Sequence, residues 1–162
     1  MYISEYMSPI GTITIESDGN AITGLWIQQQ RYFPELKNCE EGSHLPVIGQ
    51  TKEWLDHYFS GSGRILPLPP LAPKGTAFQK RVWNALLDIP LGQTCTYGQI
   101  SARIFGNTAI GARAVGHAVG KNQISILIPC HRVLPAVGGV GQYAGGTHRK
   151  EFLLKLENKT SE

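Results

Sequence analysis

Three observations predict an α+β fold: a small N-terminal antiparallel-sheet domain with a helix, followed by a mainly helical C-terminal domain with a helix-turn-helix. Short β-like runs open the chain, Pro67, Pro69, Pro70 and Pro73 stiffen the segment from Leu66 to Gly75, and two Ser/Thr-x-x-Glu/Gln capping boxes follow it. The division assigns residues 1–73 to the first domain, with the proline-rich linker at its end, and residues 74–162 to the second.

Within the first domain, Thr12–Glu16 and Ala21–Ile27 flank the turn residues Asp18-Gly19-Asn20, the pattern of an antiparallel hairpin. Val47, Ile48, Thr51, Trp54, Leu55, Tyr58 and Phe59 recur at helical spacing before Gly61, which predicts one amphipathic helix over that sheet. The prolines leave the linker extended, with little room for helix or central strand.

Past the linker, Thr76-Ala77-Phe78-Gln79 starts a helix with Phe78, Val82, Trp83, Leu86 and Leu87 on its apolar face, ended by the turn at Pro90-Leu91-Gly92. Thr96-Tyr97-Gly98-Gln99 starts a short helix, Tyr97–Ile104, and Asn107-Thr108 caps another from about Ala109 to Val119. Two short helices across a tight turn at Gly106 read as a helix-turn-helix. Residues 124–128 run extended into Pro129, and glycines 138, 139, 141, 145 and 146 mark a long loop around Tyr143. The last helix is expected from about Thr147 to Glu157, buried through Phe152, Leu153 and Leu156.

At 17.7 kDa and 41% apolar content the chain reads as compact and soluble. No apolar run approaches the roughly 18 residues of a membrane span, and Met1-Tyr2-Ile3-Ser4-Glu5 lacks the basic start of a signal peptide. The expected location is therefore the cytoplasm, without a membrane partner. Cys39, Cys95 and Cys130 form no CxxC pair, which fits a reducing compartment. The net charge of +3 conceals an asymmetry: residues 1–73 hold four Lys/Arg against eight Asp/Glu, and residues 74–162 hold eleven against four. A basic second half suits a polyanion such as nucleic acid, although on charge alone a solvated basic face fits equally well.

Two features carry the chemistry. Interior glycines cost a helix about 1 kcal/mol each, so Gly111, Gly116 and Gly120 in or near the helix of Arg113 imply a close approach to something flat. Placed at helical intervals, Ala112, Val115 and Val119 share one side, and Ala109, Arg113, Gly116 and His117 the other. The second feature is Ile126-Leu127-Ile128-Pro129-Cys130-His131-Arg132-Val133, an apolar run stopped by proline that delivers a cysteine beside two cationic side chains. Such a setting favours a thiolate nucleophile. Adjacent side chains diverge in a helical turn, so a water would have to carry the proton from Cys130 to His131, with a distant carboxylate orienting the imidazole. Glu157 is the candidate, and periodicity does not separate it from Glu151.

The motif Ile128-Pro129-Cys130-His131-Arg132-Val133 resembles the active-site signature of the O6-alkylguanine-DNA alkyltransferases, or methylated-DNA–protein-cysteine methyltransferases. Tyr143-Ala144-Gly145-Gly146, Lys150-Glu151-Phe152-Leu153-Leu154 and Glu157 follow at matching spacing, and Ala112-Arg113-Ala114-Val115-Gly116 and Asn122 precede it. The likeness is strong over residues 76–157 and looser before them.

The resemblance implies stoichiometric, irreversible transfer of an alkyl group, best methyl, from O6-alkylguanine in double-stranded DNA to Cys130, with His131 and Glu157 as water-bridged activators and Asn122 tying the helix to the active-site segment. Arg113 would replace the extruded nucleotide from a helix in the minor groove, with Ala112, Ala114 and Gly116 keeping its face bare. Tyr97 would crowd the target phosphate and give a proton to guanine N3. The carbonyls of Cys130 and Val133 and the amide of Ala144 would read the guanine, with Tyr143, Lys150 and Ser125 completing the pocket. Gln123 and Ser125 stand where some members have proline, which makes methyl the safest substrate. No cofactor is implied. Cys39 and His44 do not complete a four-ligand zinc site, so no metal is expected. The protein is expected to be a monomer without regulatory domains; O4-alkylthymine as a second substrate and cooperative assembly on DNA stay open. The rival readings are a non-catalytic lesion sensor, which would lack the cysteine, and a cysteine hydrolase with turnover.

Overall fold

The computed structural model describes residues 1–106 and 111–160. They form two compact units, Met1–Lys74 with Gln123–Leu127, and Gly75–Asn122 with Ile128–Glu162. The expected cap at Asn107-Thr108 and the start of its helix at Ala109 lie outside the described residues.

The first unit holds strands β1 (Tyr2–Ser8), β2 (Gly11–Ser17), β3 (Ile22–Ile27) and β4 (Glu40–Glu41) in the order β3-β2-β1-β4. β2 and β3 make the expected hairpin, while β1 carries no hydrophobic alternation because the side chain it buries is Ser4. Its identity as a strand comes from pairing: all seven residues are in antiparallel register with β2, from Tyr2 opposite Ser17 to Ser8 opposite Gly11. Helix α1 (Pro46–Ser60) buries Val47, Ile48, Thr51, Trp54, Leu55 and Tyr58, and stops at Gly61, whose φ of 68° is the left-handed C-cap that glycine supplies without strain. Complete burial of Ile48 and Leu55 stabilises this unit by about 1.5–3 kcal/mol each.

All six residues of β3 are buried, and its outer edge is covered by two later pieces of chain. Ile22 pairs with Leu71 of the extended linker, and Leu25 pairs with Ile124, through Leu25 N to Gln123 O at 2.9 Å and Ser125 N to Leu25 O at 3.0 Å. Residues 123–127 thus depart from the single division at residue 73, because their backbone groups satisfy the edge of β3.

Nor do residues 124–128 form the strand or extended run expected of them. Beyond Ile124 the Leu127 N–H donates to the Ser125 carbonyl at 2.8 Å, a tight turn that puts Ile126 at φ 72°. A β-branched residue there carries about 1–3 kcal/mol of strain, and Ile126 is held in place by burial.

In the second unit, both capping boxes form completely. Thr76 and Gln79 exchange bonds of 3.0 Å at the start of α2 (Ala77–Leu86), and Thr96 and Gln99 do so at 2.8 and 3.1 Å at the start of α3 (Tyr97–Phe105). α3 ends at Gly106, and α4 (Ala112–Gly120) follows Gly111. The Trp83 indole N–H donates to the Ala118 carbonyl at 2.8 Å and locks α2 against α4. On α2 the apolar face is narrower than expected: Leu87 is exposed, and Phe78 is half-buried against Phe105.

Short strands β5 (Cys95–Thr96) and β6 (Val133–Leu134) pair in parallel, and α5 (Thr147–Thr160) closes the unit. α5 corrects the sequence expectation. Phe152 is exposed and Leu156 half-buried, and the buried face is Lys150, Leu153 and Glu157. Two ionisable side chains turn inward because both find partners there, as the site geometry shows. No helix among the described residues is long and apolar enough to cross a membrane.

Candidate active site

Pro129 opens a single 3-10 turn, Cys130–Arg132, in which all three residues are buried. Cys130 N donates to the Ile128 carbonyl at 2.8 Å and Arg132 N to the Pro129 carbonyl at 3.0 Å, so the turn is tightly closed. Neighbouring side chains in it diverge, and their partners come from distant elements.

Glu157 of α5 sits between two of them. Its Oε2 lies 2.5 Å from His131 Nε2, and its Oε1 accepts from Arg132 Nε at 2.7 Å. Arg132 also donates through Nη1 to the Ile89 carbonyl at 2.7 Å. Burial pushes the Glu157 carboxyl up, yet the charges and hydrogen bonds of His131 and Arg132 outweigh it and hold the group at about 2. His131 is fully buried, and burial lowers its pKa against the pull of Glu157, so the ring is neutral at pH 7. With Glu157 ionised, Nε2 carries the proton and Nδ1 is the lone-pair nitrogen; among the described residues Nδ1 has no hydrogen-bond partner.

Around the sulfur, burial raises the Cys130 pKa, opposed by a hydrogen bond from Asn122, the charge of Lys150, and backbone N–H groups of Cys130 and His131. Asn122 Nδ2 also donates to the Ile128 carbonyl at 2.9 Å, joining the end of α4 to the segment that carries the cysteine. Lys150 is completely buried and donates to the carbonyls of Val133 at 2.7 Å and Gln142 at 3.2 Å. Desolvation brings its pKa down to about 8. Tyr143 packs edge-on to His131 with ring centroids 6.4 Å apart, and its carbonyl accepts from Gly146 N at 2.9 Å, turning the chain at half-buried Ala144.

The β5–β6 pairing sets Cys95 opposite Val133 and so brings the start of α3 to the active turn. Tyr97 follows directly; burial and then the charge of Cys130 raise its pKa, which keeps the phenol protonated. Beside it is Gly116, where a Cβ would lie 3.7 Å from Tyr97 Cδ1. On α4, Val115, Ala118 and Val119 are buried, Arg113, Ala114 and His117 are exposed, and Ala112 and Gly116 are half-buried.

The structure therefore collects Cys130, His131, Glu157, Asn122, Tyr97, Val133, Tyr143, Ala144 and Lys150 in the second unit. Ser125 falls in the first, where its Oγ donates to Gln30 Oε1 at 3.4 Å. Sequence reasoning marks Arg132 only as a cationic neighbour of the thiol and misses it as the second anchor of Glu157. Its place next to His131 was an available signal, whereas the Ile89 carbonyl carries none. Among the described residues no three His, Cys, Asp or Glu are grouped to hold a metal ion.

The family model of the 6-O-methylguanine DNA methyltransferase DNA binding domain matches residues 77–159, and that of the ribonuclease-like domain matches residues 1–72. The methylated-DNA–protein-cysteine methyltransferase of Haemophilus influenzae is 41% identical over 157 residues, covering 97% of this chain and 86% of the relative. The protein of the same name from Methanosarcina acetivorans is 38% identical over 171 residues, covering 97% and 98%. The crystal structure of Mycobacterium tuberculosis OGT in complex with DNA superposes with a TM-score of 0.88 at 36% identity, over 99% of this chain and 94% of that one. Both domain models, these relatives and the shared fold agree: this chain belongs to the 6-O-methylguanine DNA methyltransferase family.

Proposed function

We propose that this protein repairs duplex DNA by taking an alkyl group, methyl best, from guanine O6 onto Cys130, once and irreversibly. The observation that carries the reading is the buried arrangement of Cys130, His131 and Glu157, with Nδ1 of a neutral histidine left as a base. The names of the relatives and the DNA complex of a similar structure support it.

The resting thiol is hard to ionise because it is buried, so activation requires a proton acceptor close by. A water between Sγ and Nδ1 passes the proton to His131, and Glu157, kept ionised by Arg132, stabilises the imidazolium. The thiolate attacks the alkyl carbon as the carbon–oxygen bond breaks. The electron pair leaves on guanine oxygen, and Tyr97 supplies a proton to N3, so guanine departs neutral. The product thioether is a poor leaving group, which limits each protein molecule to one lesion.

The stacked base hides its alkylated oxygen, so it must be flipped out of the helix. Arg113 stands exposed on α4 to fill the gap, while Ala112, Ala114 and Gly116 leave that face low enough for a minor groove. The carbonyls of Cys130 and Val133 and the amide of Ala144 read the guanine edge, with Tyr143 as a wall. A one-protein, one-lesion reaction suits a monomer acting in the cytoplasm.

Intact mass after incubation with a duplex containing one O6-methylguanine tests this. A single addition of about 14 Da on Cys130, saturating at one per protein, is expected of a nucleophile that cannot be regenerated. Tight lesion binding without an adduct would replace the reading with that of a sensor, and continued turnover with that of a hydrolase. The same assay on an O4-methylthymine duplex decides whether that oxygen is also a substrate.

A further inference from the structure

We propose that Phe105 is a positioning residue for DNA repair: its ring, packed into the space beside Gly111, sets where and at what angle α4 begins, and so where Arg113 stands. The inference rests on the DNA-contacting role given to α4 above.

Phe105 is the last residue of α3 and stays 39% exposed, so it adds little to the core. Its contacts are with the neighbouring helices instead. The ring stacks on Phe78 of α2, with centroids 6.0 Å apart and planes inclined by 22°. The Arg81 guanidinium stands 6.0 Å from the centroid of the same ring, and its Nη2 donates to the Ile104 carbonyl at 2.9 Å, in the last turn of α3. A cation is favourable at that end of a helix. One side of α2 therefore holds both the ring and the backbone from which it projects.

On its other side the ring meets the start of α4. A Cβ on Gly111 would lie 2.5 Å from Phe105 Cε2 and 3.0 Å from Cδ2, so only a bare backbone fits there. Gly111 also has a φ of 80°, in the left-handed region that glycine enters without penalty. Its carbonyl accepts the first bond of α4, from Val115 N at 2.7 Å. Arg113 belongs to that first turn and is exposed, so displacing Gly111 displaces Arg113.

Both ends of α3 touch α4 through an aromatic ring over a glycine. Tyr97, the first residue of α3, lies against Gly116, and Phe105, the last, against Gly111. Contacts at two separated points fix the angle between packed helices, whereas a single one leaves a pivot. The two contacts differ in tightness. At Gly116 a Cβ would stand an ordinary 3.7 Å from the Tyr97 ring, and at Gly111 there is no room for one. The contact that holds α4 to a single angle is thus the one made by Phe105.

Methyl-transfer rates with an O6-methylguanine duplex and with the free base test the proposal. Phe105→Ala is expected to slow the duplex reaction about tenfold and to leave the free-base reaction within about twofold of the parent, as misplacing a group remote from the chemistry does. Phe105→Tyr keeps the flat ring and should recover the duplex rate. In an Arg113→Ala background, Phe105→Ala should cost the duplex reaction much less than it does alone, because the ring acts through the arginine. Full duplex activity in Phe105→Ala, equal loss with duplex and free base, or additive loss in the double variant would overturn the proposal. Should the alanine variant fail to fold, Phe105→Leu, which keeps an apolar side chain against Phe78, supplies the same comparisons. If Arg113→Ala alone repairs duplexes at the parent rate, the DNA-contacting role of α4 fails, and the positioning role falls with it.

Discussion

Glu157 reaches the imidazole of His131, with Oε2 and Nε2 2.5 Å apart in a site from which both side chains are almost wholly excluded from water. This contact selects the histidine tautomer and makes the stability of the second unit depend on pH.

The carboxyl of Glu157 is held at about 2 against an ordinary value of 4.5. A lowered carboxylate pKa contributes stability that is present above the unfolded value and lost as pH falls through the folded one. Urea unfolding should therefore show a loss of about 3 kcal/mol between pH 4.5 and 2 that Glu157→Gln lacks. His131 adds in the same direction, since its lowered pKa makes the unfolded chain bind a proton first as pH drops below 6.5. An acid limb unchanged in Glu157→Gln would remove this carboxylate as its source.

Arg132→Met keeps most of the side-chain volume but leaves Glu157 buried without its guanidinium partner and the Ile89 carbonyl without the Arg132 donor. The expected cost is about 3–5 kcal/mol in the unfolding free energy obtained from urea titration. Because the arginine acts through the carboxylate, Glu157→Gln in the same chain should add less than its separate effect.

Gly116→Ala separates folding from DNA contact. The new methyl would meet Tyr97 at an ordinary van der Waals distance of 3.7 Å, and helix propensity favours alanine, so the melting temperature should hold or rise. Repair of a duplex should nonetheless fall, as a methyl on this face meets the groove wall. Arg113→Ala, exposed on the same helix, should change stability by less than about 0.5 kcal/mol while impairing repair in duplexes more than reaction with the free base. Equal loss of both activities would remove the flipping role from Arg113.

Gly49 lies exposed inside α1, and a Cβ built there meets nothing within 4 Å. Gly49→Ala should stabilise the protein by about 1 kcal/mol through helix propensity alone. Thermal unfolding with no gain would mean that α1 does not limit stability of the first unit.

The sequence by itself determined the features whose causes lie within one turn of chain. Thr76 with Gln79 and Thr96 with Gln99 close their capping boxes because each needs only its own side chains and the free N–H groups of a helix start. Gly61 ends α1, and Pro129 places Cys130 in a turn, for similarly local reasons. Tertiary structure decided the rest. It made a strand of Tyr2–Ser8, whose buried position is a serine, because β2 supplied a pairing partner. It turned residues 125–127 into a tight bend, because Ile124 had first to complete the edge of β3. It chose Glu157 over Glu151 by rotating α5 so that Lys150 and Glu157 face inward. That rotation contradicts the apolar pattern of the helix and holds because burying a charge is tolerable only where carbonyls, an imidazole and a guanidinium from elsewhere in the chain already converge.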